Sequence, residues 1–271
     1  RYKKNRNNDE KKLMKYIEKK FNLQNQVVVI TGAGGHICGA VAEGFAKAGA
    51  RLALLDIRKK NIDKKSFLKK MPTKNYISLE CDVTKKDQIV ESFNTILKKF
   101  GAVDILINGS GINSPSKFFD ISEDEWDSIL SVNLKGTMLC CQIFGKHMCK
   151  KRKGSIINIS SVSSDPPLSK AFTYSVSKAA IKNLTQNLAR EWASDNVRVN
   201  SIKPGFFPTK WNLENFITNK RKNDILSHTP MQRFGKPDEL IGAFIWLSSD
   251  ASSFVTGAEI TIDGGFSSCT I

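Results

Sequence analysis

The strongest constraint on this chain is a rhythm. Short, predominantly apolar runs recur between longer stretches whose apolar residues return every three or four positions. Val27–Thr31, Leu52–Leu55, Tyr76–Leu79, Val103–Ile107, Ile156–Ile159, Val197–Ile202 and Glu259–Ile262 read as strands. A strand that is apolar at successive positions has no solvent face, so it needs cover on both sides. The stretches between supply that cover as helices. They are Ala40–Ala48, a helix carrying Ile89, Phe93 and Ile96, a long stretch from Glu123 to Cys149, Tyr174–Trp192 and Leu240–Leu247. Ser122 caps the long stretch ahead of Glu123, Asp124 and Glu125, which suit the positive end of a helix. Strands alternating with helices over the whole length predict an α/β fold, a single domain with a doubly wound parallel sheet. Two segments stand outside the rhythm. Residues 1–20 form a basic extension ahead of the domain at 21–271, and residues 206–230 interrupt the pattern as an expected substrate lid.

Charge narrows the partners. The chain has 42 Lys plus Arg against 26 Asp plus Glu, a formal net charge of +16 over 271 residues. Of the 42, only 9 are Arg and 33 are Lys, and there are 20 Asn. Readers of phosphates and base edges lean on the planar fork of Arg, so this excess reads as a solvated surface and nucleic acid is not an expected partner. No run approaches 18 apolar residues, so no membrane span is expected. No apolar stretch follows the basic lead, and the six cysteines contain no C-x-x-C pair. These features predict a cytoplasmic protein with buried thiols and no metal site.

Two constellations carry chemistry. The first strand runs into Thr31-Gly32-Ala33-Gly34-Gly35-His36-Ile37-Cys38-Gly39. A Gly-rich turn from strand to helix lets backbone approach a pyrophosphate. Asp56 ends the second strand, where a carboxylate can accept both ribose hydroxyls of an adenosine and repels a 2′-phosphate. Together they predict a dinucleotide site of Rossmann type, with NAD favoured over NADP, although Arg58 and Lys59 follow closely. In the second constellation, Tyr174 and Lys178 share a helix face one turn apart, and Ser161 closes a strand 13 residues earlier.

Those residues lead to a resemblance. Over about residues 21–266 the chain resembles the short-chain dehydrogenase/reductases, through the Thr31-Gly32 turn, Asp56, Asp82-Val83, Asn108-Gly109-Ser110-Gly111, Asn133, Ser161, Tyr174-x-x-x-Lys178, Pro204-Gly205 and Thr209. The resemblance implies that Tyr174 is the general acid or base, that Lys178 lowers its pKa and holds the nicotinamide ribose, and that Ser161 orients the reacting oxygen. It implies that Asn133 holds a water relaying protons to Lys178. For the cofactor it implies Gly32, Gly34, Gly35, His36 and Ile37 at the turn, then Asp56, Asp82 and Val83 around the adenosine. Asn108, Gly109, Tyr174, Lys178, Pro204, Gly205, Phe207 and Thr209 would line the rest. Outside the constellation, Asn108 and Asn133 read equally as strand-end or helix hydrogen-bonding groups. The turn departs from the family's T-G-x-x-x-G-x-G, with His36 and Cys38 at its second and third Gly positions. His36 either faces the phosphates or fills space outside them. Gly109 and Ser110 replace the usual Asn-Ala.

The lid start Phe206-Phe207-Pro208-Thr209, its close His228-Thr229-Pro230-Met231 and the Phe144-Gly145-Lys146 stretch are similar to the sugar-acid subgroup, the mannonate/fructuronate and gluconate type oxidoreductases. That implies a polar, anionic small-molecule substrate such as a hexonate or ketohexonate, with Asn113, Ser163, Lys210 and Asn212 as candidate contacts. A reductase of 3-oxoacyl thioesters, suited by an apolar lid of Phe206, Phe207, Trp211, Leu213 and Phe216, is an alternative. A catalytically silent NAD-binding regulatory protein is another. The family also implies a homotetramer or homodimer, for which Phe254, Val255 and Ile260 are apolar enough.

Overall fold

The computed structural model describes residues 15–165, 168–209, 213 and 217–269. Its seven strands are β1 (Val27–Thr31), β2 (Arg51–Asp56), β3 (Tyr76–Glu80), β4 (Ile105–Asn108), β5 (Gly154–Ile159), β6 (Val197–Pro204) and β7 (Glu259–Ile262). They form one sheet in the order β3-β2-β1-β4-β5-β6-β7, and every pairing is parallel. The helices are α1 (His36–Lys47), α2 (Lys59–Asp63), α3 (Lys86–Phe100), α4 (Glu123–Leu130), α5 (Gly136–Lys151), α6 (Phe172–Trp192), α7 (Asn219–Ser227) and α8 (Asp238–Ser248).

The all-apolar strands are explained by two separate cores. Val28 and Ile30 of β1, with Leu52 and Leu54 of β2, pack against Val41 and Phe45 of α1 and Phe244 and Leu247 of α8. The alternate residues, Val27, Val29, Ala53 and Leu55, pack against Ile89 and Ile96 of α3 and Phe144 and Met148 of α5. Successive side chains of a strand point to opposite faces, so each position is buried by a different helix layer. All five residues of β1 are buried. Each such aliphatic side chain contributes about 1.5–3 kcal/mol relative to exposure.

Several boundaries differ from expectation. The first helix begins at His36 rather than Ala40, because extended Gly35 is its N-cap. β4 begins at Ile105 rather than Val103, and just before it Asp104 accepts the Val27 N–H through its carboxylate at 2.8 Å. The predicted Ser122 cap is present, its hydroxyl accepting from Glu125 N at 3.1 Å. The long helix after it is not uniform, because Ser131–Lys135 forms a π turn between α4 and α5. Such single-turn bulges are frequent at functional sites, and this one carries Asn133. Residues 15–20 are helical with Tyr16 and Ile17 exposed, whereas Leu23 is buried. Leu13, the remaining apolar position of that lead, lies outside the described residues.

Candidate active site

Strand order reverses between β1 and β4, which leaves a crevice beyond the C-terminal strand ends. The crevice wall is built without side chains. Thr31 Oγ1 accepts from Gly109 N at 3.0 Å and from Ser110 N at 3.3 Å, tying the β1 end to the turn after β4. Gly32 has φ +66°, and a Cβ there would stand 2.9 Å from Gly109 O. That position therefore requires glycine on both conformational and steric grounds. A Cβ at Gly34 would stand 2.8 Å from Asp56 Oδ2. Gly34 N instead donates to that oxygen at 3.0 Å, while Arg58 N donates to Asp56 Oδ1 at 3.0 Å. No side chain caps α1, so its first-turn N–H groups are open to an anion. A side-chain-free turn, an uncapped helix start and a nearly buried carboxylate at the end of β2 fit a nicotinamide dinucleotide.

Two of the departures from the family pattern, Cys38 and Gly109, prove to be one. Cys38 is buried at the third glycine position, and burial pushes its thiol up to about 12. Its Sγ occupies the space that a Cβ at Gly109 would fill. His36 is exposed at the head of α1, so it is not a packing residue. Partial burial and then the Lys65 ammonium hold its imidazole below the usual histidine value. Ile37 packs at the edge of the core on that face. Val83 is buried against Gly136, and Asp82 Oδ1 accepts from Thr84 N and Oγ1 at 2.9 and 2.8 Å.

Asn108 corrects an expectation. Its side chain does not line the crevice but turns into the interior, donating to Asn158 Oδ1 at 2.8 Å and Cys141 Sγ at 3.3 Å. Asn158 in turn donates to Thr185 Oγ1 at 3.0 Å, so the amides cross-link β4, β5 and α6. Asn133 is fully buried and is a clamp: it accepts from Ile112 N at 2.9 Å and donates to Ile112 O and Ser177 Oγ, each at 3.0 Å. Its side-chain amide is thus used to fix the segment after Gly111. Its Oδ1, which accepts from Ile112 N, keeps a second lone pair for a relay, and its backbone carbonyl accepts from Thr137 Oγ1 at 2.8 Å.

Ser161 follows β5 in extended conformation, and Tyr174 and Lys178 face it from α6. Lys178 Nζ donates to Ile159 O at 2.7 Å and lies 5.5 Å from the Tyr174 ring centroid. Desolvation brings the Lys178 ammonium down to about 8. The expected lowering of the Tyr174 phenol is not found. Burial raises it, and the Ser161 hydroxyl beside it opposes that rise. The physical reason is that Lys178 bonds a backbone carbonyl rather than the phenol, so burial dominates. Ser163 also corrects an expectation: it is buried, and its hydroxyl donates to Ser161 Oγ at 3.1 Å, while its backbone N–H donates to the same oxygen at 3.2 Å. It orients Ser161 rather than facing solvent.

At the other end, Gly205 N donates to Ile262 O at 2.9 Å, and a Cβ on Gly205 would stand 2.7 Å from Asp263 Cα. This draws Pro204-Gly205 against the chain after β7. Phe207 is pinned under Gly235, and Phe206 stacks edge-on against Phe266 at 5.1 Å. Both rings thus serve packing. Thr209 O accepts from Leu213 N at 3.1 Å. Arg221 of α7 donates to Ser169 Oγ at 2.9 Å and Ser169 O at 3.1 Å, and Asn113 Nδ2 donates to Lys170 O at 3.4 Å. The loop around 168–170 therefore meets both α7 and the segment after β4. The candidate contacts Lys210 and Asn212, with Trp211 and Phe216, lie outside the described residues. Among the described residues there is no group of three or more His, Cys, Asp or Glu able to hold a metal, and no helix long and apolar enough to cross a membrane. Sequence reasoning missed Thr31 as a shaper of the turn, and Lys65 beside it. The pairing of Thr31 with the backbone after β4 follows from the strand order, while Lys65 belongs to no motif.

A family model described as Enoyl-(Acyl carrier protein) reductase matches residues 32–267. The "Uncharacterized oxidoreductase UxuB" of Bacillus subtilis is 36% identical over 269 residues, 90% of this chain and 96% of its own length. Among solved structures, a Haemophilus influenzae protein provisionally described as a D-mannonate oxidoreductase, with bound NAD, has TM-score 0.86 and 36% identity, covering 92% of this chain and 97% of its own. A gluconate 5-dehydrogenase from Burkholderia cenocepacia, in complex with NADP and tartrate, has TM-score 0.86 and 30% identity, covering 93% and 99%. A match over this much of the chain, on a parallel sheet with a dinucleotide crevice, identifies the protein as a member of the short-chain dehydrogenase/reductase family, NAD(P)-using oxidoreductases of alcohol and ketone groups.

Proposed function

We propose that the protein interconverts a secondary alcohol and a ketone on a sugar acid, a hexonate or ketohexonate, with NAD(H). The observation that carries the chemistry is the convergence of Ser161, Tyr174 and Lys178 beyond the end of β5, beside the glycine turn and Asp56. The bound dinucleotide supplies the hydride donor or acceptor. The turn from Gly32 to Ile37 would hold its pyrophosphate and Asp56 its adenosine ribose. Asp82 and Val83 would flank the adenine, and Pro204, Gly205, Phe207 and Thr209 would hold the nicotinamide end.

The chain's own residues handle the proton. Ser161 hydrogen-bonds the reacting oxygen, held in one rotamer by Ser163. Tyr174 gives a proton to that oxygen in reduction and takes one in oxidation. Lys178 sits beside the ring with a pKa of about 8, close enough to neutrality to pass a proton on. Asn133, in its π turn, would hold the water that forms the next link of that relay. An anionic substrate is in keeping with the similarity to proteins described as a D-mannonate oxidoreductase and a gluconate 5-dehydrogenase. NAD is favoured by the nearly buried Asp56 carboxylate.

The test is turnover on a panel of hexonates and 3-oxoacyl thioesters with each dinucleotide, alongside Tyr174→Phe. Oxidation of a hexonate with NAD, lost about 10²–10⁴-fold in Tyr174→Phe with dinucleotide binding retained, supports the reading. Activity confined to thioesters overturns the substrate. That second reading has one observation in its favour, the exposed aromatic group of Phe118, Phe119 and Phe172, with Phe118 4.8 Å from Phe172. Unchanged turnover in Tyr174→Phe overturns the chemistry. Binding of a dinucleotide with no turnover on any substrate favours the silent regulatory protein. Assembly as a homotetramer or homodimer through β7 would cover Phe254, which is fully exposed, and is checked by light scattering.

A further inference from the structure

One cation stands where an isolated fold would not put it. Lys65 follows α2 and reaches back across the first turn of α1, where its Nζ donates to Gly35 O at 2.9 Å. Gly39 makes the room, since a Cβ there would stand 2.5 Å from Nζ and 2.7 Å from Cε. The side chain is half-buried. A helix start carries partial positive charge and open N–H groups, so a desolvated ammonium beside it is unfavourable on its own. The bond to Gly35 O uses one of the ammonium's three protons.

Its surroundings say what the ammonium faces. Gly35 directly follows Gly34, whose N–H holds Asp56 Oδ2. The Asp56 carboxylate and the Lys65 ammonium are therefore held by adjacent residues of one turn, and the carboxylate acts electrostatically on the ammonium. Lys59, which is nearer to Asp56 in sequence, is taken up by Asp63 at 2.6 Å. Asn61 of the same segment lies against Gly34. So α2 and Lys65 form one wall of the place where Asp56 meets an adenosine ribose.

We propose that Lys65 is a cofactor-selectivity residue, whose ammonium offsets the Asp56 carboxylate and gives the 2′-phosphate of NADP a partner. This rests on the dinucleotide reading above. Asp56 alone would exclude NADP. With Lys65 beside it the local charge sums to zero, and the site takes NADP as well as NAD. The ribose end is the favoured place for the phosphate partner, because Gly35, which holds Lys65, adjoins Gly34, whose N–H holds Asp56.

The test is direct binding, read from the fluorescence of NADH and NADPH titrated with wild type, Lys65→Met and Lys65→Arg. Competition by 5′-AMP and by adenosine 2′,5′-bisphosphate gives a second measure free of turnover. Expected are NADPH binding by wild type, a loss of 10-fold or more for NADPH and the bisphosphate in Lys65→Met, and less than 3-fold change for NADH and 5′-AMP. Lys65→Arg should keep NADPH affinity within about 3-fold, which guards against a folding defect in the first variant. Failure of wild type to bind NADPH while binding NADH overturns the proposal and leaves the dinucleotide reading standing. Equal losses for both dinucleotides also overturn it, since the residue would then serve the pyrophosphate or the fold. Binding of neither by folded wild type, judged by circular dichroism, overturns the dinucleotide reading itself and the proposal with it.

Discussion

Gly109→Ala is the most informative single change at this site. The added methyl would collide with Cys38 Sγ, and it would also stand 3.0 Å from Thr31 O and 3.2 Å from Ile159 Cδ1. Two of these neighbours belong to strands of the sheet and cannot move cheaply. Overpacking of this kind costs about 1–3 kcal/mol, and at roughly 2–4 °C per kcal/mol in a domain of this size the melting temperature should fall by about 5 °C. Cys38→Gly should also destabilise, by about 1–2 kcal/mol, through loss of a buried thiol and a glycine in the first helical turn. The double variant is decisive. With the sulfur gone, the severest of the three contacts is removed, so the cost of Gly109→Ala should fall by about 1 kcal/mol or more, the contacts with Thr31 O and Ile159 Cδ1 remaining. The coupling energy should therefore be about 1–3 kcal/mol in favour of the pair, measured by equilibrium urea unfolding of all four proteins. Additivity within about 0.5 kcal/mol would refute the exchange of side chain between the two positions.

Other predictions concern charge, backbone and lid. Lys178→Met should abolish turnover yet stabilise the fold at neutral pH. Below pH 8 the ammonium is charged in folded and unfolded chains alike, so its burial penalty is fully felt, about 3 kcal/mol for a drop from 10.5 to about 8. That penalty fades as pH rises from about 8 to 10.5, so the gain should be largest near pH 7 and small near pH 10, partly offset throughout by the lost bond to Ile159 O. Melting curves of both proteins across pH check this, and a wild type more stable than the variant at pH 7 would contradict it. Gly32→Ala should weaken dinucleotide binding more than 10-fold and cost about 1–3 kcal/mol, because φ is +66° and the methyl meets Gly109 O. Calorimetry with NADH reads the first and urea unfolding the second. Arg221→Ala removes both bonds to Ser169 and should raise the substrate KM several-fold with kcat nearly unchanged.

How far the sequence reached is best seen at particular residues. The sheet was legible because a strand buried on both faces must be apolar at successive positions, and Val27 to Ile30 are divided between two cores. Gly32 and Asp56 were legible because backbone geometry and charge leave few residue types for those places. Asn108 was not, because a polar residue at a strand end can serve a ligand or a neighbour equally well, and only the position of Cys141 and Asn158 decides. The π turn left no trace, since its residues suit an ordinary helix. Cys38 and Gly109 read as two separate departures because they are 71 residues apart in the chain. Only the parallel pairing of β1 with β4 makes them neighbours.

The link from Gly205 to the strand after it bears on the order of synthesis. Ser161, Tyr174 and Lys178 are all synthesised before β6, the strand that pairs with β5 beside them. The segment after β6 cannot be tied down at that stage, because Gly205 waits for Ile262, and Phe206 for Phe266. β7 joins the edge of a parallel sheet and so has no hairpin partner to fold with locally. The nascent protein thus carries Ser161, Tyr174 and Lys178 through the synthesis of about 80 further residues before β7 can pair with β6 and complete the sheet.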